Sequence, residues 1–294
     1  MEYNPKSDFM PFIGLSTSYF AFQGLGIFDS VKKISEMGFN TAELGAAHAF
    51  EKNMWKTLEK IKSEFPKMNF TVHGLFPPLK EKHWFNASLG LTKSNKSILE
   101  DMFKTAKLMN AKCVTIHSGF LSEMHFGENV RGMNYGKPGK QIPREKAAKG
   151  IHETISFALK LAEKTGSDFG IENNTRGTLT PAIYSRKEFS ELFSDFPKLG
   201  FLLDMGHALA ENRLEKMLEF KEKIVQMHVH YSRPKSQALK LDEHAMLPSK
   251  EAIAFMKGIK QIKKIPLIFE HGTDTTQEQV LREKALLEDF LQGL

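Results

Sequence analysis

The sequence predicts an α/β fold, a single (β/α)8 TIM barrel spanning residues 1–294. Three observations predict it. Short apolar runs alternate strictly with helical stretches, which implies parallel strands joined by crossover helices. Eight such units fit into the 294 residues, near the length usual for this barrel. Seven of the eight runs end on or near an acid or a histidine, as expected where strand tips surround one mouth. A doubly wound open sheet is the alternative, but no G-x-G-x-x-G opens a helix, which weakens a dinucleotide site.

Pro11 to Ser16 is the first strand. Phe28, Val31, Ile34 and Met37 then recur at the three-residue step of a helix face. Asp29 and Ser30 sit near its start, where capping groups and negative charge are favoured, and Gly38 stops it. Phe39 to Leu44 is the second strand and carries Glu43. Helix Lys52 to Phe65 leads to strand Asn69 to His73, and helix Ser94 to Met109 to strand Cys113 to His117. A Gly-, Asn- and Lys-rich stretch, Phe120 to Pro143, reads as a long loop on the functional face. Helix Arg144 to Lys164 precedes strand Asp168 to Glu172, and helix Arg186 to Phe193 precedes strand Leu199 to Asp204. Helix Arg213 to Phe220, strand Ile224 to His230, helix Lys250 to Ile262, strand Ile265 to Glu270 and helix Thr276 to Leu291 complete the series.

An apolar content of 41% supports a large core. The formal charge of +6 is compatible with a polyanionic partner, although Lys-rich helices read first as solvated faces. One cysteine, Cys113, excludes an intrachain disulfide and fits a reducing compartment. The polar stretch from Met1 to Met10 has no signal-peptide character, and no run approaches the roughly 18 apolar residues that span a bilayer. A cytoplasmic protein is expected, with no membrane partner and no obligate protein partner.

The strand-end residues are Glu43, His73, His117, Glu172, Asp204, His228 and Glu270. His207 follows Asp204 by three positions, and Asp242 and His244 have the spacing that places both on one side of an extended segment. His230 shares parity with His228 and joins Glu43 as a residue facing the substrate. Buried carboxylates are costly without partners, so their convergence implies bound divalent cations. Histidine with carboxylate suits Zn, and also Mn or Fe. The ligand number exceeds what one catalytic zinc needs, which points to two or three ions. Cys113 and Thr115 share parity with His117, so Cys113 fills the interior and is not a nucleophile. Phe76-Pro77-Pro78 is either a substrate-facing loop or loop packing. His48, His83, His125 and His152 lack strand-end context and read as surface or loop residues.

With these pieces in place the chain resembles the xylose-isomerase-like TIM-barrel superfamily, which holds endonuclease IV and many sugar isomerases and epimerases. The resemblance runs from Phe12 to the last helix. It rests on Thr41-Ala42-Glu43-Leu44, Phe70-Thr71-Val72-His73, Thr115-Ile116-His117-Ser118-Gly119, Gly170-Ile171-Glu172-Asn173, Leu203-Asp204-Met205-Gly206-His207, Met227-His228-Val229-His230, Asp242-Glu243-His244 and Pro266-Leu267-Ile268-Phe269-Glu270. Likeness to endonuclease IV implies three zinc ions. His73, His117 and Glu172 would hold the first. Glu172 would bridge to a second, completed by Asp204, His228 and Glu270, and His207, Asp242 and His244 would hold the third. Phe76 falls where those enzymes intrude an aromatic ring into DNA.

Some residues depart from that pattern. Ser118 stands where the endonucleases usually have proline, Met205-Gly206 replaces Thr-Cys, and Glu43 is typical of the sugar enzymes. In the epimerases one metal is held by residues matching Glu172, Asp204, His228 and Glu270, and the two glutamates also move protons. The match at all nine ligand positions nevertheless implies phosphodiester hydrolysis at abasic sites in DNA, with Arg233, Lys235 and Lys240 beside the phosphate backbone. The alternative is isomerisation or epimerisation of a sugar or sugar phosphate, with Glu172 and Glu270 catalytic in either case.

Overall fold

The computed structural model describes residues 10–45, 47–80, 84–130, 133–177, 179–234 and 243–294, with backbone alone between 124 and 137. The strands in chain order are β1 (Ile13–Ser16), β2 (Thr41–Leu44), β3 (Asn69–His73), β4 (Cys113–His117), β5 (Ser122–Val130), β6 (Met133–Gln141), β7 (Asp168–Glu172), β8 (Gly200–Asp204), β9 (Ile224–His228) and β10 (Leu267–Phe269). Strands β5 and β6 form a separate antiparallel ribbon. The other eight close into a parallel barrel in sequence order, with β10 pairing back onto β1 through Ile13 and Leu267. Register sets the functional residues level with one another: His117 pairs with Glu172 and Asp204 with His228.

The helices are α1 (Ser18–Ala21), α2 (Ile27–Glu36), α3 (Met54–Glu64), α4 (Lys93–Met109), α5 (Arg144–Thr165), α6 (Arg186–Asp195), α7 (Met205–Ala210), α8 (Leu214–Leu218) and α9 (Gln277–Gln292). Each long helix turns an apolar stripe inward. In α2, Ile27, Val31 and Ile34 have no exposed surface, and each contributes about 1.5–3 kcal/mol by that burial. Side-chain caps fix several starts. Ser185 and Glu188 form a reciprocal capping box on α6, and Thr276 and Gln279 do the same on α9. Asn110 ends α4 in the left-handed region, where asparagine is tolerated.

Three elements differ from expectation. The 120–143 stretch contains the β5–β6 ribbon, whose pairing spans a Gly-rich sequence with few β-branched residues. The expected helix Lys250 to Ile262 is a 3-10 helix at Lys250–Gly258. Ile253, Met256 and Ile259 are all buried at three-residue spacing, the period of a 3-10 turn. Directly after Asp204 the chain enters α7 without a loop, which draws His207 back over the barrel end. Among the described residues no helix is long and apolar enough to cross a membrane.

Candidate metal centre at the barrel mouth

The C-terminal strand ends bring Glu43, His73, His117, Glu172, Asp204, His207, His228, His230, His244 and Glu270 into one connected cluster. Glu172 lies at its centre, 1% exposed in its side chain. Its Oε2 is 3.5 Å from His73 Nε2 and 3.4 Å from His117 Nε2, while its Oε1 is 3.0 Å from His207 Nδ1. One carboxylate thus faces two histidine sets.

Asp204 divides its oxygens in a similar way. Oδ1 accepts the His207 backbone N–H and caps α7. Oδ2 lies 3.0 Å from His230 Nε2, 3.4 Å from His207 Nδ1 and 3.5 Å from His228 Nδ1. Glu270 Oε2 approaches His228 Nδ1 at 3.2 Å and His244 Nδ1 at 3.9 Å. His230 and His244 stack with centroids 4.1 Å apart. Five overlapping groups have their candidate ligand atoms within 4.8 Å of one another: His73–His117–Glu172, Glu172–Asp204–His207, Asp204–His230–Glu270, His207–His230–His244 and Glu43–His73–His228.

Neighbouring groups aim the imidazoles. His207 Nδ1 lies 3.0 Å from the Asn173 carbonyl as well as from Glu172 Oε1, and His244 Nδ1 lies 2.7 Å from the Glu270 carbonyl, contacts that hold each ring in place. His73 Nδ1 meets Thr115 Oγ1 at 2.9 Å, leaving its Nε2 toward Glu172.

Charge is balanced locally. Burial opposes ionisation of Asp204, yet His207 and His230 outweigh it and hold the carboxyl well below its usual range. Burial likewise raises Glu172, and His117, His207 and His73 lower it by more. Glu270 is low for a similar reason, with His228 the largest attraction. Burial disfavours a charged His228, but Glu43 and Glu270 raise its pKa well above the ordinary value. For His117 burial prevails and the pKa falls.

This donor set fits divalent cations. It combines imidazoles with carboxylates, and Glu172 Oε2 and His228 Nδ1 are buried without a hydrogen bond. A cation would satisfy both atoms and offset the carboxylate charge.

The structure corrects several expectations. Phe76 has no exposed surface and meets His48 edge-on, so it offers no face to a substrate. Glu43 is also fully buried, beneath His228, and cannot contact substrate from there. His230 is fully buried as well, held between Asp204 and His244. His48 belongs to the interior at 6% exposure. Arg233 is engaged by Glu243. Asp242, Lys235 and Lys240 lie outside the described residues.

Sequence reasoning also missed partners. Asn173 grips Asp204 by two 2.9 Å hydrogen bonds, its amide donating to the Asp204 carbonyl and accepting the Asp204 N–H. A polar residue directly after Glu172 was the available signal. His271 donates through Nδ1 to the His244 carbonyl, and its Nε2 lies 2.6 Å from Glu283 Oε2. Glu283 in turn accepts the Leu247 N–H. Helix α9 thereby pins the loop that carries His244, which adopts a positive φ of 42°.

A family model described as xylose isomerase-like TIM barrel matches residues 31–289. No curated protein is matched by sequence. Among solved structures, a D-tagatose 3-epimerase-like protein is 19% identical with a TM-score of 0.65, covering 95% of this chain and 97% of its own. A 3-keto-D-glucoside 4-epimerase from E. coli is 12% identical with a TM-score of 0.65, covering 95% and 99%. Endonuclease IV from Thermus thermophilus is 17% identical with a TM-score of 0.56, covering 95% and 100%. At such identities the structural likeness extends to the fold alone. The family match covers most of the chain, from the second helix to the last, and the chain belongs to the xylose isomerase-like TIM-barrel family.

Proposed function

We propose that this chain is a divalent-metal-dependent enzyme that hydrolyses a phosphodiester at a polynuclear centre, as endonuclease IV does, with abasic DNA as its substrate. The supporting observation is the division of Glu172 between His73 and His117 on one oxygen and His207 on the other. A carboxylate placed between two sets of imidazoles is suited to bridging two ions. His73, His117 and Glu172 would hold one ion; Glu172, Asp204, His228 and Glu270 a second; His207 and His244, with Asp242, a third. Zinc is the first candidate for this mixture of donors. When bound, such ions polarise a phosphate and supply hydroxide near neutral pH.

The protein's own groups do the rest. Glu172 stays ionised among three imidazoles, so it can bridge without losing charge. Glu270 is ionised too, and with its side chain 24% exposed it reaches the mouth, where it orients the attacking water. The His117 side chain, 40% exposed, faces the opening on the opposite side.

The buried Phe76 favours a second reading, because a duplex reader would need that ring at the surface. In that reading a sugar or sugar phosphate is isomerised or epimerised, with Glu172 and Glu270 exchanging a proton at carbon. Metal content and two assays decide between them. Three ions per chain and salt-sensitive incision of an abasic duplex support hydrolysis. One ion per chain, no incision, and solvent deuterium entering a ketose would overturn it.

A further inference from the structure

Below the metal centre a polar thread of Cys113, Gln226 and Glu43 runs through the barrel interior, and of these only Glu43 falls in a candidate ligand group, with His73 and His228. Cys113, 1% exposed, donates its S–H to Gln226 Oε1 at 2.9 Å. Burial raises the thiol pKa, so the sulfur keeps its proton and acts as a donor. The other end of that amide is thereby fixed: Gln226 Nε2 points at Glu43 and donates to Oε2. His228 Nε2 approaches the same oxygen at 3.0 Å. Glu43, Gln226 and His228 have no exposed surface. The Gln226 amide nitrogen also lies 3.3 Å from His228 Nε2, but that amide donates to Glu43, and the shorter contact of the ring nitrogen is with a carboxylate oxygen that only accepts, which assigns the proton to His228 Nε2.

We infer that Glu43 is a positioning residue that fixes His228 with Nε2 protonated and Nδ1 turned to the cation. The inference rests on the reading of His228 as a ligand. Nδ1 already lies 3.2 Å from Glu270 Oε2 and 3.5 Å from Asp204 Oδ2, the two carboxylates with which it would share the ion. A negative partner behind an imidazole also makes it a stronger donor. Gln226 holds the carboxylate in line, and Cys113 holds Gln226. This gives a buried acid and a lone interior cysteine a task neither substrate contact nor nucleophilic chemistry provides.

The test is metal affinity of the full chain, stripped with chelator and titrated with zinc against a chromophoric competitor. Glu43→Gln keeps the shape and an acceptor but loses the charge, and about tenfold weaker zinc binding is expected. Glu43→Leu removes the acceptor, and a loss of about a hundredfold is expected. Nitrogen-15 histidine NMR of the zinc-loaded wild type needs no variant and should report His228 with a protonated Nε2 and a metal-bound Nδ1. Wild-type affinity in both variants, or zinc on His228 Nε2 or on Glu43 itself, would overturn the role of Glu43 alone. A wild-type chain that takes up no divalent ion would overturn the metal reading with it.

Discussion

The His230 ring rests on Gly206, so closely that a Cβ added at Gly206 would sit 2.0–2.7 Å from three of its atoms. The glycine in Asp204-Met205-Gly206-His207 is therefore a packing requirement of the imidazole beside it. Gly206→Ala must displace His230 or lift α7, and such overpacking costs about 1–3 kcal/mol. A lower melting temperature and fewer bound ions are expected. Unchanged values for both would show that the ring has room to retreat.

Glu172→Gln should reduce metal content more than His117→Ala does. Glu172 belongs to two of the five candidate groups and His117 to one. Elemental analysis of the purified variants checks the order, and equal losses would mean that Glu172 does not bridge.

Asn173→Ala removes both hydrogen bonds to the Asp204 backbone and leaves the buried Asp204 N–H unsatisfied, while the Asp204 carbonyl still accepts the first bond of α7. A loss of about 1–3 kcal/mol is expected, together with weaker metal binding, because the Asp204 carboxylate loses its anchor. Urea unfolding of metal-free and loaded protein separates the two effects.

Acid should destabilise the metal-free protein in two stages. Burial lowers the His48 pKa from 6.5 to about 4. Its neutral form contributes stability fully above 6.5, lost as pH falls toward about 4. That shift is worth about 3 kcal/mol. Glu172, Asp204 and Glu270 have depressed pKa values, so their contribution persists above the ordinary carboxylate range and goes only on further acidification. His228 has the opposite sign: its contribution is complete below 6.5 and lost as pH rises through its elevated value. Melting curves of wild type and His48→Leu between pH 7 and 4 check the first stage, which the variant should show diminished, His117 with its lowered pKa keeping its own share.

Phe76→Ala should behave as a core truncation, costing about 3–5 kcal/mol in urea unfolding. A ring that works as an exposed wedge would leave stability unchanged.

The barrel and the cluster of acids and histidines at its mouth were legible because both are written in local pattern: an apolar run, then an acid or histidine, at most strand ends. Depth was not legible. Glu43 and Glu270 both lie at strand ends, yet the Glu270 side chain is 24% exposed and that of Glu43 not at all, and only the packing of neighbouring strands decides which. Phe76 was misplaced for the same reason, since a ring after a strand reads alike whether it folds in or out. Glu283 belongs to an ordinary helical stretch, and its partner His271 lies on another element. Gln226 did leave a trace, as a polar residue at His228 parity inside an apolar strand.

Asp204 ties two requirements to one side chain, since its first oxygen starts α7 and its second faces the histidines. Selection on either requirement preserves the residue for both. A descendant that abandoned metals would still be confined to aspartate, asparagine, serine or threonine here, because the helix needs an acceptor at its start. Aspartate at this position is thus by itself weak testimony for a metal, whereas His117 makes no such capping bond and is the more telling residue.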